Sequence, residues 1–116
     1  YGDVISDLCA GLVGGLGVVP GANYGDNEAV FEAVHGSAPD IAGQNLANPL
    51  ALLMSAVMML NYLAETEEES SFEKCSNLIK TAYDDALIAG ETTKDLGGSL
   101  GTAEFADVLI ARIAEL

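Results

Sequence analysis

The sequence predicts an α/β fold, with about four helices and two short strands that form one portion of a larger domain. Apolar residues recur at helical spacing in four segments, and two short apolar runs are bounded by Gly, Pro and Asn. Strands that are few and nearly continuous in apolar content are typical of pieces of a bigger sheet. A chain of 116 residues suffices for one domain and not for two. The sequence opens in mid-pattern at Tyr1-Gly2-Asp3 without a Met, so we interpret residues 1–116 as a single partial domain, the C-terminal portion of a longer chain whose N-terminal portion is missing.

The first helix is predicted from Asp3 to about Gly14. Its apolar residues fall on one face at helical spacing, and glycines at positions 14, 15 and 17 end it. The apolar stripe consists of Ile5, Leu8, Cys9, Leu12 and Leu16.

Two strands and two loops are predicted after this helix. The strands are Leu16–Val19, which Pro20-Gly21 stops, and Ala29–His35, whose residue types favour β structure. The loops are Ala22–Asn27, rich in turn residues, and Gly36–Ala47, whose length is typical of functional or mobile loops.

Three more helices are predicted in the second half of the chain. Asn48-Pro49 combines an N-cap residue with a proline at the first helical position, and that helix runs to about Ala64. It is apolar on most sides, which is typical of a helix sandwiched in a core or between subunits. The acidic run Glu65–Glu69 follows as a solvated connection. The third predicted helix begins with a capping box at Ser70 and Glu73 and ends at Gly90. The fourth begins after a cap at Thr102.

The charge balance excludes whole classes of partner. Asp and Glu number 18 against 4 Lys and Arg, the formal charge is −14, and residues 1–73 contain no Lys or Arg. Such a surface repels phosphate backbones and anionic lipid, so no nucleic-acid partner is expected. Residues 41–64 carry no charge, but Asn, Gln and Pro interrupt them and acids flank both ends, so we predict a buried helix and no membrane span.

Several common catalytic and binding patterns are absent. The nearest approach to a Rossmann glycine fingerprint, at residues 15–20, lacks the third glycine and leads into a predicted strand. The single histidine forms no visible nucleophile and base pair. Cys9 and Cys75 match neither a disulfide framework nor a metal-ligand spacing, and we expect both to be reduced and buried.

Asp3 and Asp7 are the first candidate ligands. Four residues apart on a helix, they lie roughly 40° apart on one face. The small residues Ala10 and Gly14 continue that face and leave room for a ligand to approach. Two aimed carboxylates without a nearby base suit a hard divalent cation such as Mg²⁺ or Mn²⁺. The alternative is an ordinary solvated helix face, whose acids in the first turn are stabilised by the helix dipole.

The segment from His35 to Gly43 is the second candidate site. Its glycine and small residues allow the backbone to approach a ligand closely. Asp40 could accept hydrogen bonds from a ribose diol and would repel a 2′-phosphate, as in NAD-selective sites. His35 could contact a base or could have only a structural role. Asn48 could contact a ligand, although N-capping alone also explains it.

Six blocks occur in a fixed order along nearly the whole chain: YGDVISDL at 1–8, GLGVVPGAN at 15–23, FEAVHGSAPDIAG at 31–43, ANP at 47–49, SAVMML at 55–60 and TKDLGG at 93–98. Together they resemble the β-decarboxylating dehydrogenases, the family of isocitrate, homoisocitrate and 3-isopropylmalate dehydrogenases. Within that family, DLCAGLVGG at 7–15 and PGANYG at 20–25 are most similar to mitochondrial NAD-dependent isocitrate dehydrogenase subunits. The resemblance implies that this chain forms the C-terminal part of the family's large domain, which does not have a Rossmann fold.

The resemblance also implies ligands. Asp3 and Asp7 match the family's acids for Mg²⁺ or Mn²⁺, with a third acid supplied by a neighbouring protomer. Asp40-Ile41 is the pair seen in NAD-using members, whereas NADP-using bacterial relatives carry Lys-Tyr at these two positions. Those relatives also have phosphate-binding side chains at the positions that Lys94 and Gly98 occupy here. The implied NAD-binding residues are His35, Gly36, Ser37, Ala38, Pro39, Asp40, Ile41 and Asn48.

The implied activity is the NAD-dependent oxidative decarboxylation of isocitrate, a 2-hydroxy tricarboxylic acid, to 2-oxoglutarate in the tricarboxylic acid cycle. The alternatives are 3-isopropylmalate or homoisocitrate as substrate, or a non-catalytic regulatory subunit of the isocitrate dehydrogenase oligomer. The family's substrate-binding arginines and proton-transferring Tyr and Lys would precede Tyr1. No catalytic residue is therefore expected in this chain, which should be inactive alone. A homo- or hetero-oligomer is implied, in the mitochondrial matrix, or in the cytoplasm of a prokaryote.

Overall fold

The computed structural model describes residues 2–116, which form four α-helices and one two-stranded antiparallel sheet. Tyr1, the first residue of the block at 1–8, lies outside the described residues. The predicted α/β class with four helices and two strands is confirmed. In chain order the elements are α1 (Gly2–Val13), β1 (Pro20–Tyr24), β2 (Ala29–Ala33), α2 (Leu50–Thr66), α3 (Ser70–Ile88) and α4 (Thr102–Glu115), with short 3₁₀ turns at Leu16–Val18, Pro39–Ile41 and Lys94–Leu96.

The first strand lies later than the sequence predicts. Leu16–Val18 is a 3₁₀ turn, and the predicted loop after Pro20 is instead strand β1. The position of the first strand is set by its pairing with β2, since the two strands align in antiparallel register from Pro20 opposite Ala33 to Tyr24 opposite Ala29. A proline is tolerated as the first residue of an edge strand, where its missing N–H costs no ladder hydrogen bond.

The hairpin of β1 and β2 packs on α2 through a buried serine and an aromatic cluster. Ser55, 1% exposed, accepts a hydrogen bond from the Gly21 amide (3.2 Å). The Ser55 hydroxyl oxygen lies 2.8 Å from both the Glu32 and the Ala51 carbonyl oxygens, and its single proton can be donated to either of them. The rings of Tyr24, Phe31 and Tyr62 lie with centroids 5.6 to 5.8 Å apart. These contacts set the position of the strand that leads into His35.

Replacing Ser55 by Ala is expected to lower the free energy of unfolding by about 2 kcal/mol, because the half-buried Gly21 amide then loses its side-chain partner. Urea unfolding followed by circular dichroism measures the change. Ser99→Ala, at an exposed position, is the matched control and should have no effect beyond about 0.5 kcal/mol. An equal stability of the two variants would contradict the role of Ser55.

The core between α3 and α4 contains Ala86, Phe105 and Leu109. Tyr83 packs edge-on against Phe105, with the ring centroids 6.4 Å apart. Partial burial, reinforced by the carboxylates of Asp84 and Asp95, raises the pKa of the Tyr83 phenol above its usual 10.0. The phenol is therefore neutral near pH 7 and lies at the edge of an apolar core.

The two cysteines and the apolar stripe of α1 are not buried within residues 2–116. Cys9 and Cys75 are exposed, so the expectation of burial is wrong. Helix α1 turns its small residue Ala10, 1% exposed, toward the rest of the chain and leaves Leu12 81% exposed. On α3, Ser76 occupies the buried position next to Cys75. Periodicity identifies an apolar face without specifying what covers it.

The helix starts differ from prediction in detail. Helix α2 has Pro49 at its N-cap position, one residue later than predicted, although Asn48 Oδ1 still accepts from the Leu50 amide at 2.9 Å. Helix α3 is capped by Glu69, not Ser70: its carboxylate accepts from the Ser71 amide at 3.1 Å, which lowers the pKa of Glu69. Thr102 makes no side-chain cap on α4. Among residues 2–116, no helix has the length and apolarity that crossing a membrane requires.

Candidate functional site

Two neighbouring clefts meet at His35, which follows β2 and lines both. The larger, here the loop cleft, has a volume of about 710 Å³ and is lined mainly by residues 35–48. The smaller, here the acid cleft, has a volume of about 490 Å³ and lies between α1 and the hairpin. The Nδ1 atom of His35 is 2.8 Å from the Gly36 carbonyl oxygen, so Nδ1 carries a proton and donates it.

The loop cleft brings together most of the residues predicted to bind a nucleotide. Ala38 adopts a left-handed conformation with φ 42°, which bends the loop around the cleft. Pro39 and Asp40 belong to the same loop but do not line the cleft. The predicted residues that do line it are His35, Gly36, Ser37, Ala38, Ile41 and Asn48.

Asp40 is exposed next to Ile41, which lines the cleft. The Asp40 carbonyl accepts a hydrogen bond from Gln44 Nε2 at 2.7 Å, and this bond closes the turn that carries the side chain. Among residues 2–116, no hydrogen bond reaches the Asp40 carboxylate, so its acceptor positions remain available beside the cleft.

Asp95 is a cleft residue that the sequence analysis did not assign. Its Oδ2 accepts from Asn48 Nδ2 at 2.9 Å, and its Oδ1 accepts from the Thr93 hydroxyl at 2.5 Å. Asn48 and Asp95 both line the loop cleft, although 47 residues separate them in the chain. The signal that could have found Asp95 is its position in the block TKDLGG at 93–98.

Asn45, also missed from sequence, attaches the end of the loop to the start of α4. Its backbone carbonyl accepts from the Thr102 amide (3.1 Å) and its Oδ1 accepts from the Ala103 amide (2.8 Å). Its Nδ2 donates to Glu104 at 2.8 Å. The amide of Glu104 itself and the Asn45 side chain together lower the pKa of the Glu104 carboxyl. The side chain of Asn45 therefore caps a helix that lies far along the chain from it.

The acid cleft contains both predicted metal ligands. Asp3 and Asp7 are exposed and line it together with Glu32 and Asn23, whose Nδ2 lies 3.3 Å from Glu32 Oε1. No Lys or Arg of residues 2–116 lines this cleft. Within the described part of the chain, no group of three or more His, Cys, Asp or Glu could hold a metal ion. The donor chemistry of two carboxylates fits a hard divalent cation, and further ligands would have to come from elsewhere.

Comparison with known proteins shows similarity along nearly the whole chain. The sequence profile of the family "Isocitrate/isopropylmalate dehydrogenase" matches residues 1–109. The chain is 50% identical to a 3-isopropylmalate/3-methylmalate dehydrogenase of Methanocaldococcus jannaschii, over 99% of this chain and 32% of that protein. It is also 50% identical to a mitochondrial regulatory subunit of the isocitrate dehydrogenase [NAD] of Dictyostelium discoideum, over 99% of this chain and 31% of that protein.

The fold is similar as well. The crystal structure of isocitrate dehydrogenase from Methylococcus capsulatus superimposes with a TM-score of 0.83 and 43% sequence identity, covering 97% of this chain and 32% of that one. The chain thus spans about a third of the length of the relatives that it matches.

Proposed function

Because this chain belongs to the isocitrate/isopropylmalate dehydrogenase family, we propose that it is the C-terminal part of an enzyme that oxidatively decarboxylates isocitrate to 2-oxoglutarate with NAD⁺. The observation that carries the proposal is the meeting of the two clefts at His35. One cleft has the small residues that suit a nucleotide, with the free Asp40 carboxylate beside it, and the other has the acid pair that suits a metal ion. A reaction needing both groups requires such adjacent sites.

NAD is proposed over NADP on the basis of charge. No Arg or Lys among the described residues lines the loop cleft, so nothing in this part of the chain would neutralise a 2′-phosphate there. The Asp40 carboxylate, free of partners within residues 2–116, could accept hydrogen bonds from both ribose hydroxyls and would repel a phosphate. When bound, NAD⁺ would supply the hydride acceptor.

Asp3 and Asp7 are proposed to hold Mg²⁺ or Mn²⁺. Both carboxylates line the acid cleft without a competing base from residues 2–116. When bound, the cation would polarise the new carbonyl group and stabilise the negative charge left by departing carbon dioxide. The acid pair keeps the cleft electronegative, and Ser6, which donates to the Asp3 carbonyl at 3.1 Å, ties the first turn of α1 together between the two acids.

His35 lies between the two proposed sites. Its Nδ1 proton is donated to the Gly36 carbonyl, which fixes the orientation of the ring and leaves the Nε2 edge free to face a ligand.

The substrate carboxylates require cationic groups, and no Lys or Arg of residues 2–116 lines either cleft. Arg112 is the single arginine among the 116 residues, and it is bound to Glu91 at 2.7 Å, away from both clefts. Substrate-binding arginines and the proton-transferring Tyr and Lys are therefore proposed to belong to a preceding part of the protein. Since relatives of equal identity are named for different hydroxy acids, 3-isopropylmalate or homoisocitrate is the alternative substrate.

A non-catalytic role is the second candidate, favoured by the similarity to a regulatory subunit. The acid pair favours the catalytic proposal, because two carboxylates in an open cleft could hold the divalent cation that the proposed reaction requires. Assembly into a homo- or hetero-oligomer is proposed in either case, supported by the exposed apolar face of α1. We propose that the protein is located in the mitochondrial matrix, or in the cytoplasm if the source is prokaryotic.

Steady-state assays of the complete protein test the proposal. With Mg²⁺ or Mn²⁺ we expect reduction of NAD⁺ in the presence of isocitrate, with a higher kcat/KM than for 3-isopropylmalate, homoisocitrate or NADP⁺. A preference for another hydroxy acid would establish the alternative substrate. The absence of turnover with all three acids would favour the regulatory role.

A further inference from the structure

We propose that Asn45 is a positioning residue for the cofactor: by binding the start of α4, it holds the loop of residues 36–47 in the conformation that NAD⁺ requires. The inference rests on the proposed use of NAD and goes beyond it, because it makes the affinity for the cofactor depend on a helix that begins 57 residues after Asn45 in the chain. Asn45 and Thr102, the first residue of that helix, both line the loop cleft.

Four hydrogen bonds, here called the loop latch, join the end of the loop to the first turn of α4. The Asn45 carbonyl accepts from the Thr102 amide (3.1 Å), and the Thr102 hydroxyl donates to the Ala47 carbonyl. The Asn45 side chain accepts from the Ala103 amide through Oδ1 and donates to Glu104 through Nδ2, each at 2.8 Å. Because a backbone amide can only donate, the orientation of the Asn45 side chain is defined.

The loop latch supplies all the hydrogen bonds that residues 36–47 make with distant parts of the described chain. The other bonds of this loop are local. The amides of Ile41, Ala42 and Gln44 each reach the carbonyl three residues back, and Gln44 Nε2 reaches the Asp40 carbonyl. Local bonds shape the turns of a loop, but only the latch fixes where this loop lies relative to the helices.

The backbone of the loop needs such an external hold. Ala38 and Asn45 have positive φ values of 42° and 57°. Residues other than glycine keep such a conformation only where the surrounding structure imposes it, although asparagine tolerates it better than most. The partner side of the latch is closely fitted, since a Cβ at Gly101 would lie 2.5 Å from Asn45 Nδ2 and 2.6 Å from the Asn45 carbonyl oxygen.

The bond between Asn45 and Glu104 pairs a neutral donor with a carboxylate, which makes it a charge-assisted hydrogen bond. An aspartate in place of Asn45 would keep the size of the side chain and the acceptor for the Ala103 amide. It would also replace the donor by a second carboxylate facing Glu104, so attraction would become repulsion. This exchange therefore tests the latch without shortening the side chain.

The test measures the kinetics of the complete protein with isocitrate and NAD⁺. In Asn45→Asp we expect the KM for NAD⁺ to rise about fivefold, the effect of one lost hydrogen bond. The values of kcat and of the KM for isocitrate should stay within about twofold, because the latch holds a wall of the cofactor cleft and touches no reacting group. Asn77→Asp, at an exposed position on α3 outside both clefts, is the matched control and should keep the wild-type KM.

A second exchange should rescue the first. In Asn45→Asp with Glu104→Gln, the glutamine amide can donate to the new carboxylate, so the KM for NAD⁺ should return to within about twofold of wild type. Glu104→Gln alone keeps an acceptor for Asn45 and should raise this KM by no more than about threefold. Gly101→Ala, which disturbs the latch from the side of α4 without changing a charge, should raise it as Asn45→Asp does.

Four results would overturn the proposal. Wild-type KM values for NAD⁺ in both Asn45→Asp and Gly101→Ala would refute the positioning role and leave the proposed function intact. A double variant no better than Asn45→Asp would show that the contact with Glu104 does not hold the loop. A fall in kcat with an unchanged KM for NAD⁺ would indicate a purely structural role. A wild type that does not reduce NAD⁺ would instead remove the proposed function on which the inference rests.

Discussion

Replacing both Asp3 and Asp7 by Asn is expected to lower kcat/KM of the complete protein at least about 1,000-fold with isocitrate and NAD⁺. Asparagine keeps the size of each side chain but removes its charge, and neutral amides bind hard divalent cations far more weakly than carboxylates. Because both acids are exposed in the acid cleft, the fold should tolerate the change. Steady-state kinetics at saturating Mn²⁺, with titration calorimetry of Mn²⁺ binding, measures the effect.

The matched control is the pair Asp26→Asn and Asp107→Asn. It removes the same two charges at exposed positions that line neither cleft, and kcat/KM should stay within about twofold of wild type. Chelation of the wild-type protein should reproduce the loss seen in the double variant of α1. Full activity of Asp3→Asn with Asp7→Asn, or after thorough chelation, would refute the metal site.

The double variant Asp40→Lys with Ile41→Tyr is expected to lower kcat/KM for NAD⁺ about 100-fold, equivalent to about 2.7 kcal/mol. Lysine has no acceptor for the ribose hydroxyls, so two charge-assisted hydrogen bonds are lost together. The new cation could contact a 2′-phosphate, so kcat/KM for NADP⁺ should fall much less or rise. The ratio of the two values is the decisive quantity, because it cancels any general loss of activity.

Helix α4 offers a control for this change, Asp107→Lys with Ile110→Tyr. Both of its positions are exposed, Ile110 by 65%, and neither lines a cleft. Its NAD⁺ to NADP⁺ ratio should equal that of wild type. If the variant of Asp40 and Ile41 kept wild-type NAD⁺ kinetics, Asp40 would have no contact with the ribose.

Much of the local structure could be predicted from residue order alone. The helix start near Asn48-Pro49 and the stop at Gly90, with φ 74°, depend on a few neighbouring residues, and the structure bears them out to within one residue. The second strand was found for the same reason, although it ends at Ala33 and not at His35. The first strand was displaced because its position depends on the pairing partner, which local propensity does not contain.

The candidate site also has a part that the sequence predicts and a part that it does not. The loop from His35 to Ile41 could be selected from its small residues, its lone acid and the family resemblance. The contacts that shape its far wall could not, since Asn48 meets Asp95 across 47 residues and Asn45 meets Glu104 across 59. No spacing rule relates such residues, because their distance is set by how α2, α3 and α4 pack.

The order of residues alone therefore predicts the four helices, the second strand, the acidic surface and the two short segments that carry the candidate ligands. Tertiary packing decides which face of α1 turns inward, why Cys9 stays exposed, and that Asp95 belongs to the loop cleft. The physical reason is that capping and periodicity act within a few residues, whereas burial and side-chain pairing depend on which surfaces meet once the loops are closed.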